Sequence, residues 1–328
     1  MTSNEIAKGR LNLDSRLAAV ALSMLILACL LVTPIAPAEE TAAQQMFPSP
    51  DAAASALVAA GKADDMKTLN SILGPDADQV LSSGDPVADK KARTDFLSRY
   101  QEMHRLAYDD RGRVILYIGA ENWPVPLPLV KKNGGWIFDT AAGKEELLSR
   151  RVGRNELFTI NVLEDLADAQ TEYASEARDG ESADQFAQKI LSDTGKRNGL
   201  YWETAEGQPE SPIGPLIASA SAEGYKAEGY KKDGGGSPIP FHGYYYKVLK
   251  AQGKNAPGGA KNYLVDGKMT KGFAFLAYPA EYRSSGVMTL MINQDGVIVQ
   301  KDLGPDTSKL ASAISEFNPD KTWQEVDE

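Results

Sequence analysis

Cysteine is almost absent from this 328-residue chain, and the single Cys29 leaves no intrachain disulfide to form. Histidine is nearly as scarce: with only His104 and His242, a Cys/His zinc site lacks the ligands to close a tetrahedron. No metal site and no cofactor is expected, while a carboxylate-bound calcium or magnesium ion stays open. Basic residues are in deficit, 35 against 45 acidic, and the resulting net charge of −10 repels nucleic acid and anionic membrane surfaces. Familiar catalytic strings are missing too. No Gly-x-Ser-x-Gly, Ser-x-x-Lys, Gly-x-x-x-x-Gly-Lys or Gly-x-Gly-x-x-Gly occurs, which removes the recognisable hydrolase and nucleotide-binding routes. Asp193-Thr194-Gly195 matches the aspartic protease tripeptide, but its required second copy is absent.

What is present is an ordinary globular composition, 42% apolar and 24% charged, with one long apolar run. Residues 17–32 follow Arg10 and Arg16, are short for a bilayer span and have the length of a signal h-region. Ala36-Pro37-Ala38 supplies the small side chains that a signal peptidase needs, so cleavage after Ala38 and a periplasmic or secreted location are expected, without membrane integration of the mature chain. The alternatives are a retained anchor through residues 17–32 or lipidation at Cys29.

Beyond the leader, residues 39–150 read as helices followed by strands. Ser49-Pro50 starts one helix, a second spans about 64–73 until Gly74-Pro75, and a third runs from Pro86 to about Ala107 on helical spacing. His104 falls within this third helix. Residues 114–118 form a β run, Pro124, Pro126 and Pro128 confine the next stretch to an edge or bulged strand, and Gly134-Gly135 turns into residues 136–138. Residues 151–203 read as a helical junction, with Asn155 capping one helix and Ser182 capping a shorter one that holds Phe186 and Ile190. Residues 204–240, rich in Gly, Pro and Ser, read as an excursion in which Glu223-Gly224-Tyr225 recurs as Glu228-Gly229-Tyr230. Within 204–328, strands at 243–249, 273–278, 287–292 and 297–299 precede a closing helix carrying Leu310, Ile314 and Phe317. The fold class is α+β: helices on a curved antiparallel sheet, a helical junction, and a C-terminal antiparallel sheet with a closing helix.

The strings Ser82-Ser83-Gly84-Asp85-Pro86, Arg150-Arg151-Val152-Gly153-Arg154-Asn155-Glu156-Leu157, Gly199-Leu200-Tyr201-Trp202 and Tyr278-Pro279-Ala280-Glu281-Tyr282 resemble a bacterial exported family catalogued as domain of unknown function 2950. The resemblance covers nearly all of the mature chain and implies export, with no catalytic assignment. At fold level, the three helices and the Trp123-Pro124-x-Pro126-x-Pro128 strand resemble the nuclear transport factor two superfamily, and the C-terminal strands are similar to pilin-like sheets. Relatives of the family carry an acidic loop where this chain has Arg178-Asp179-Gly180-Glu181-Ser182. With Gly180 as the sixth position of a calcium loop, Ala177 and Phe186 fall at ligand positions they cannot serve.

The candidate ligand-binding residues are Arg150, Arg151, Arg154, Asn155, Trp123, Trp202 and His242. Three guanidinium groups ahead of a helix start favour a carboxylate, a phosphate or an acidic glycan, set against ion pairing with Glu145, Glu146, Asp139 or Glu156. Trp123, Trp202 and the Tyr244-Tyr245-Tyr246 strand after His242 offer stacking surfaces, set against ordinary packing. The reading is a non-catalytic envelope module that binds an envelope protein or an acidic glycan or peptide. The competing reading is a hydrolase acting on an envelope carbohydrate or peptide through Asp85 or Asp139, with His104 or His242 as acid/base. Fractionation of cells expressing the full gene is expected to give a soluble chain whose N-terminus is Glu39; an intact or lipidated membrane-bound product contradicts the cleavage.

Overall fold

A computed structural model describes residues 44–205, 207–226 and 239–326. The leader, its cleavage site, Cys29 and the repeat Glu228-Gly229-Tyr230 lie outside these residues. The architecture is α+β, with two five-stranded antiparallel sheets, two two-stranded ladders and two hydrophobic cores inside one compact unit, Ala43–Glu328.

The first core forms under α1 (Pro50–Lys62), α2 (Met66–Leu73), α3 (Ala77–Leu81) and α4 (Pro86–Glu102). Ser49 caps α1 by accepting from Ala52 N, ahead of Pro50 at the first helical position, as expected. Helix α3 was not anticipated, because Gly74-Pro75 reads as a terminator. Helix α4 buries no residue outright and leans on the core through Phe96 and Tyr100. It also ends earlier than its periodicity suggests: Met103 is extended, and Gly119 N donates to the carbonyls of Arg99 and Met103. His104 therefore opens a strand instead of extending the helix.

The first sheet joins β1 (His104–Tyr108), β2 (Val114–Ile118), β4 (Leu129–Lys132) and β5 (Gly135–Phe138) in that order, with β3 (Trp123–Pro124) on β2. Period-two alternation turns Val114, Leu116 and Ile118 inward against Ile72, Leu129 and Phe138. Strand β3 has only two residues, the consequence of the proline-rich stretch that follows.

Helix α5 (Thr140–Ala174) is a single 35-residue rod, about 52 Å long at 1.5 Å per residue, so the expected helix start at Asn155 is wrong. Asp139 caps it, accepting from Ala142 N, while Asn155 is buried in mid-helix and donates to Ser285 O. Gly143 permits a close approach: a Cβ there would lie 1.7 Å from Pro126 O. The N-terminal part of α5 packs on the first core through Leu147, and Val162, Leu163, Leu166 and Ala169 enter the second.

The expected helix after Ser182 is also absent. Gln170, fully buried on α5, bonds both N–H and C=O of Ala187 through its amide and ties that segment down in irregular form. Residues 204–240, expected to be an excursion, instead contain α6 (Gly214–Glu223). The second sheet has the order β14 (Gln324–Glu325), β13 (Ile298–Asp302), β12 (Met288–Asn293), β11 (Ala274–Pro279) and β6 (Tyr244–Leu249). Short ladders β7 (Ala251–Gln252) with β8 (Lys261–Asn262), and β9 (Leu264–Val265) with β10 (Lys268–Met269), flank it. Helix α7 (Thr307–Ala313) buries Ala311 while Leu310 stays exposed; it is shorter than the expected closing helix and precedes β14, with Ile314 as its extended C-cap and Phe317 beyond it, bonded to Ala251 O.

Candidate functional site

The cores meet at a buried carboxylate. Asp85, fully shielded, caps α4 through Oδ1, which accepts from Val87 N at 3.1 Å and Ala88 N at 3.0 Å. Its Oδ2 accepts from Tyr225 OH at 2.8 Å and Gly243 N at 2.9 Å, reaching across to the second core. The latter contact needs tight backbone: Gly243 has φ +79, and a Cβ there would lie 2.7 Å from Asn155 Nδ2 and 2.8 Å from Ser285 Cβ.

His242 adjoins this junction with φ +48, its ring centroid 3.7 Å from that of Phe158. Its Nε2 lies 2.9 Å from Glu223 Oε2, close enough for an ion pair but out of line for a hydrogen bond. Burial pushes the imidazole below its ordinary value and Arg154 adds to this, while Glu223 and Asp85 pull the other way. Of the four acid–base candidates, Asp85 and His242 are thus neighbours. His104 is elsewhere, exposed and stacked on Tyr100 at 3.8 Å, and Asp139 serves the start of α5.

The arginines do not converge on one site. Arg150 pairs with Glu146 and lies 5.3 Å from the Trp123 ring centroid. Arg151 turns to the end of α3, donating to the carbonyls of Gln79, Val80 and Ser82 and to Ser284 Oγ. It thereby satisfies carbonyls that a helix C-terminus leaves open. Arg154 is exposed, and Asn155 offers no helix start, so free N-terminal amides are missing from the anion cradle expected there. Trp202 sits apart with Tyr173, Arg178 and Arg197 around its ring. Among the described residues no three His, Cys, Asp or Glu side chains group as metal ligands, and no helix is long and apolar enough to cross a membrane.

One recess was not expected from sequence. A cavity of about 830 Å³ separates β6 from α6 and the irregular segment around residues 188–194. Ile213, Leu216, Ile217 and Ala220 wall one side, Val162 and Leu166 of α5 close the base, and Tyr244, Tyr245, Tyr246 and Val248 present the strand. Tyr245 and Tyr246 point to opposite faces of the sheet, so a cavity touching both runs along the strand's edge. Among the described residues β6 pairs with β11 alone. Ala280 N donates to Gly243 O, and in the register of these strands the same bonding phase turns Tyr245, Lys247 and Leu249 toward β11. The backbone N–H and C=O of Tyr246 and Val248 therefore face the cavity. Burial raises all three phenols, so they stay neutral; Tyr246 OH bonds Thr159 and Tyr244 OH bonds Met288 O. The tyrosine run signalled the strand, but its opposite wall was hidden in a stretch whose composition resembled a loop.

Fold and site together define an α+β protein with a half-open, largely apolar cleft along a sheet edge. The chain matches the family model described as protein of unknown function (DUF2950) over residues 44–326, and it belongs to that family. No curated protein and no solved structure matches it.

Replacing Arg151 with Met is expected to lower unfolding stability by about 1–3 kcal/mol, the scale for charged hydrogen bonds. The exposed Arg150→Met change is expected to cost below about 1 kcal/mol. Urea titrations of both variants check the difference.

Proposed function

We propose that this is an exported, non-catalytic module that binds an extended segment of an envelope partner in the cleft beside β6. One observation carries the reading: the outward backbone groups of Tyr246 and Val248 line a cavity whose α5 and α6 walls are apolar, while the segment at residues 188–194 adds polar side chains. An apolar small molecule filling that space would strip water from these amides and leave them unpaired, which is costly. An added strand pairs them while its alternate side chains enter the apolar wall. Export is supported by the apolar run at residues 17–32 and the small residues at Ala36 and Ala38.

The hydrolase alternative draws support from the adjacency of Asp85 and His242. Against it, both oxygens of Asp85 are engaged by four donors, and the His242 ring is packed on Phe158. An acidic glycan would need the arginines gathered, and they are dispersed.

A panel of uncharged eight-residue apolar peptides, titrated into the folded chain, is expected to shift the amide resonances of Tyr246 and Val248. Val248→Pro removes one outward donor on an edge strand, where proline is tolerated, and is expected to weaken binding roughly tenfold, about 1.4 kcal/mol. Filling the cleft with Ile217→Trp is expected to abolish it. Peptides that leave the β6 amides unmoved, or bind the two variants as well as the parent, contradict the proposal.

A further inference from the structure

The cleft has an outer rim as well as an apolar interior. Tyr245 of β6 and Tyr278 of β11 are direct partners in the strand register, with ring centroids 5.4 Å apart, and both border the cavity. Side chains alternate along a strand, so Tyr245 and Lys247 lie on the face opposite Tyr244, Tyr246 and Val248. Tyr246 OH bonds Thr159 of α5, which makes the second set the inner face. Tyr278 and Tyr245 therefore form a row on the outer face that ends at the sheet edge, and both are only half-buried. The next outer side chain, Lys247, sends its ammonium to the carbonyls of Ser312 and Ile314 at the end of α7. Of these two outer residues of β6, it is Tyr245 that presents a ring to the open edge.

We propose that the cleft selects its partner strand by an aromatic side chain placed directly opposite Tyr245, extending the tyrosine row by one ring, with aliphatic residues opposite Tyr246 and Val248. The proposal rests on reading the cleft as a strand-binding site. The phase of the backbone decides what each position does. N–H and C=O of Tyr246 and Val248 point outward, so the residues opposite them make the hydrogen bonds and turn their side chains inward, toward Leu166, Ile213 and Ile217. Tyr245 uses its own backbone groups on β11. Its opposite number in an antiparallel partner therefore falls in a non-hydrogen-bonded pair, where Cα atoms approach to about 4.5 Å and side chains are closest. Aromatic pairs stabilise such cross-strand positions, and rings whose centroids lie about 4.5–7 Å apart attract beyond the area they bury. The position opposite Lys247 gains no such partner, because its ammonium is already engaged. Read along an antiparallel partner, the recognised segment is aliphatic, any residue, aliphatic, aromatic.

The test uses two acetylated and amidated peptides, Ser-Gly-Val-Ser-Val-Tyr-Ser-Gly and the same sequence with threonine in place of tyrosine. Each is titrated into the folded chain and into its Tyr245→Phe and Tyr245→Thr variants, while the amide resonances of Tyr246 and Val248 are followed. Threonine removes the ring and keeps a residue that favours strands. The tyrosine peptide is expected to bind the parent roughly fivefold tighter than the threonine peptide, an advantage kept by Tyr245→Phe and lost in Tyr245→Thr. A second readout needs no variant to fold: in the parent complex the peptide ring should show nuclear Overhauser contacts to the Tyr245 ring and none to the Val248 side chain on the inner face. Equal affinity for the two peptides, an advantage that survives Tyr245→Thr, or a peptide ring lying against Val248 each overturn the aromatic position and leave the strand-binding cleft standing. Failure of both peptides to move the β6 amides removes the cleft reading itself, and this proposal with it.

Discussion

The buried carboxylate of Asp85 ties the first core to the second. Two of its four hydrogen bonds start α4, which leans on the first core, and two reach Tyr225 and Gly243 in the second. A buried carboxylate is costly unless its lone pairs are engaged, and here four donors engage them. Removing one side of such a hydrogen bond leaves the other group buried and unpaired, at about 1–3 kcal/mol and more where that group is charged. The neighbouring contacts serve the same seam: Arg151 reaches Ser284 as well as the end of α3, and Asn155 bonds Ser285 O.

Helix α5 gives this seam its rigidity. It runs through both cores, so a displacement of one core against the other would have to bend or slide a continuous helix. The cleft lies on the second-core side of this frame, with α5 as its base, β6 as one wall and α6 as the other. Of the three, α6 has the lightest anchorage, ten residues with only Ala220 buried, and it depends on the contacts at Glu223 and Tyr225. Rigid base, fixed strand and fastened helix together suit a site that admits a strand.

Local chemistry was legible where it was decided locally. Ser49-Pro50, the β2 alternation and the Asn293-Gln294-Asp295-Gly296 hairpin each appear where the residues indicate. Long-range contacts decided the rest. Asn155 has the look of a cap, but its amide is taken by Ser285 O, 130 residues away, and the helix runs through it. The segment after Ser182 has helical spacing, yet Gln170 captures the backbone of Ala187. Asp85 and His242 were both singled out as chemistry-bearing, but their adjacency depends on a fold that bonds Asp85 to Gly243, 158 residues away in sequence. The cleft was invisible because its α6 wall lies in a stretch whose Gly, Pro and Ser content argued against a helix.

Differential scanning calorimetry of Asp85→Ala beside the exposed control Asp95→Ala tests the central claim most directly. The account predicts one transition for the parent and the control, and for Asp85→Ala a split in which the first core melts at lower temperature than the second. A single Asp85→Ala transition, displaced no more than that of the control, would contradict the role assigned to the buried carboxylate.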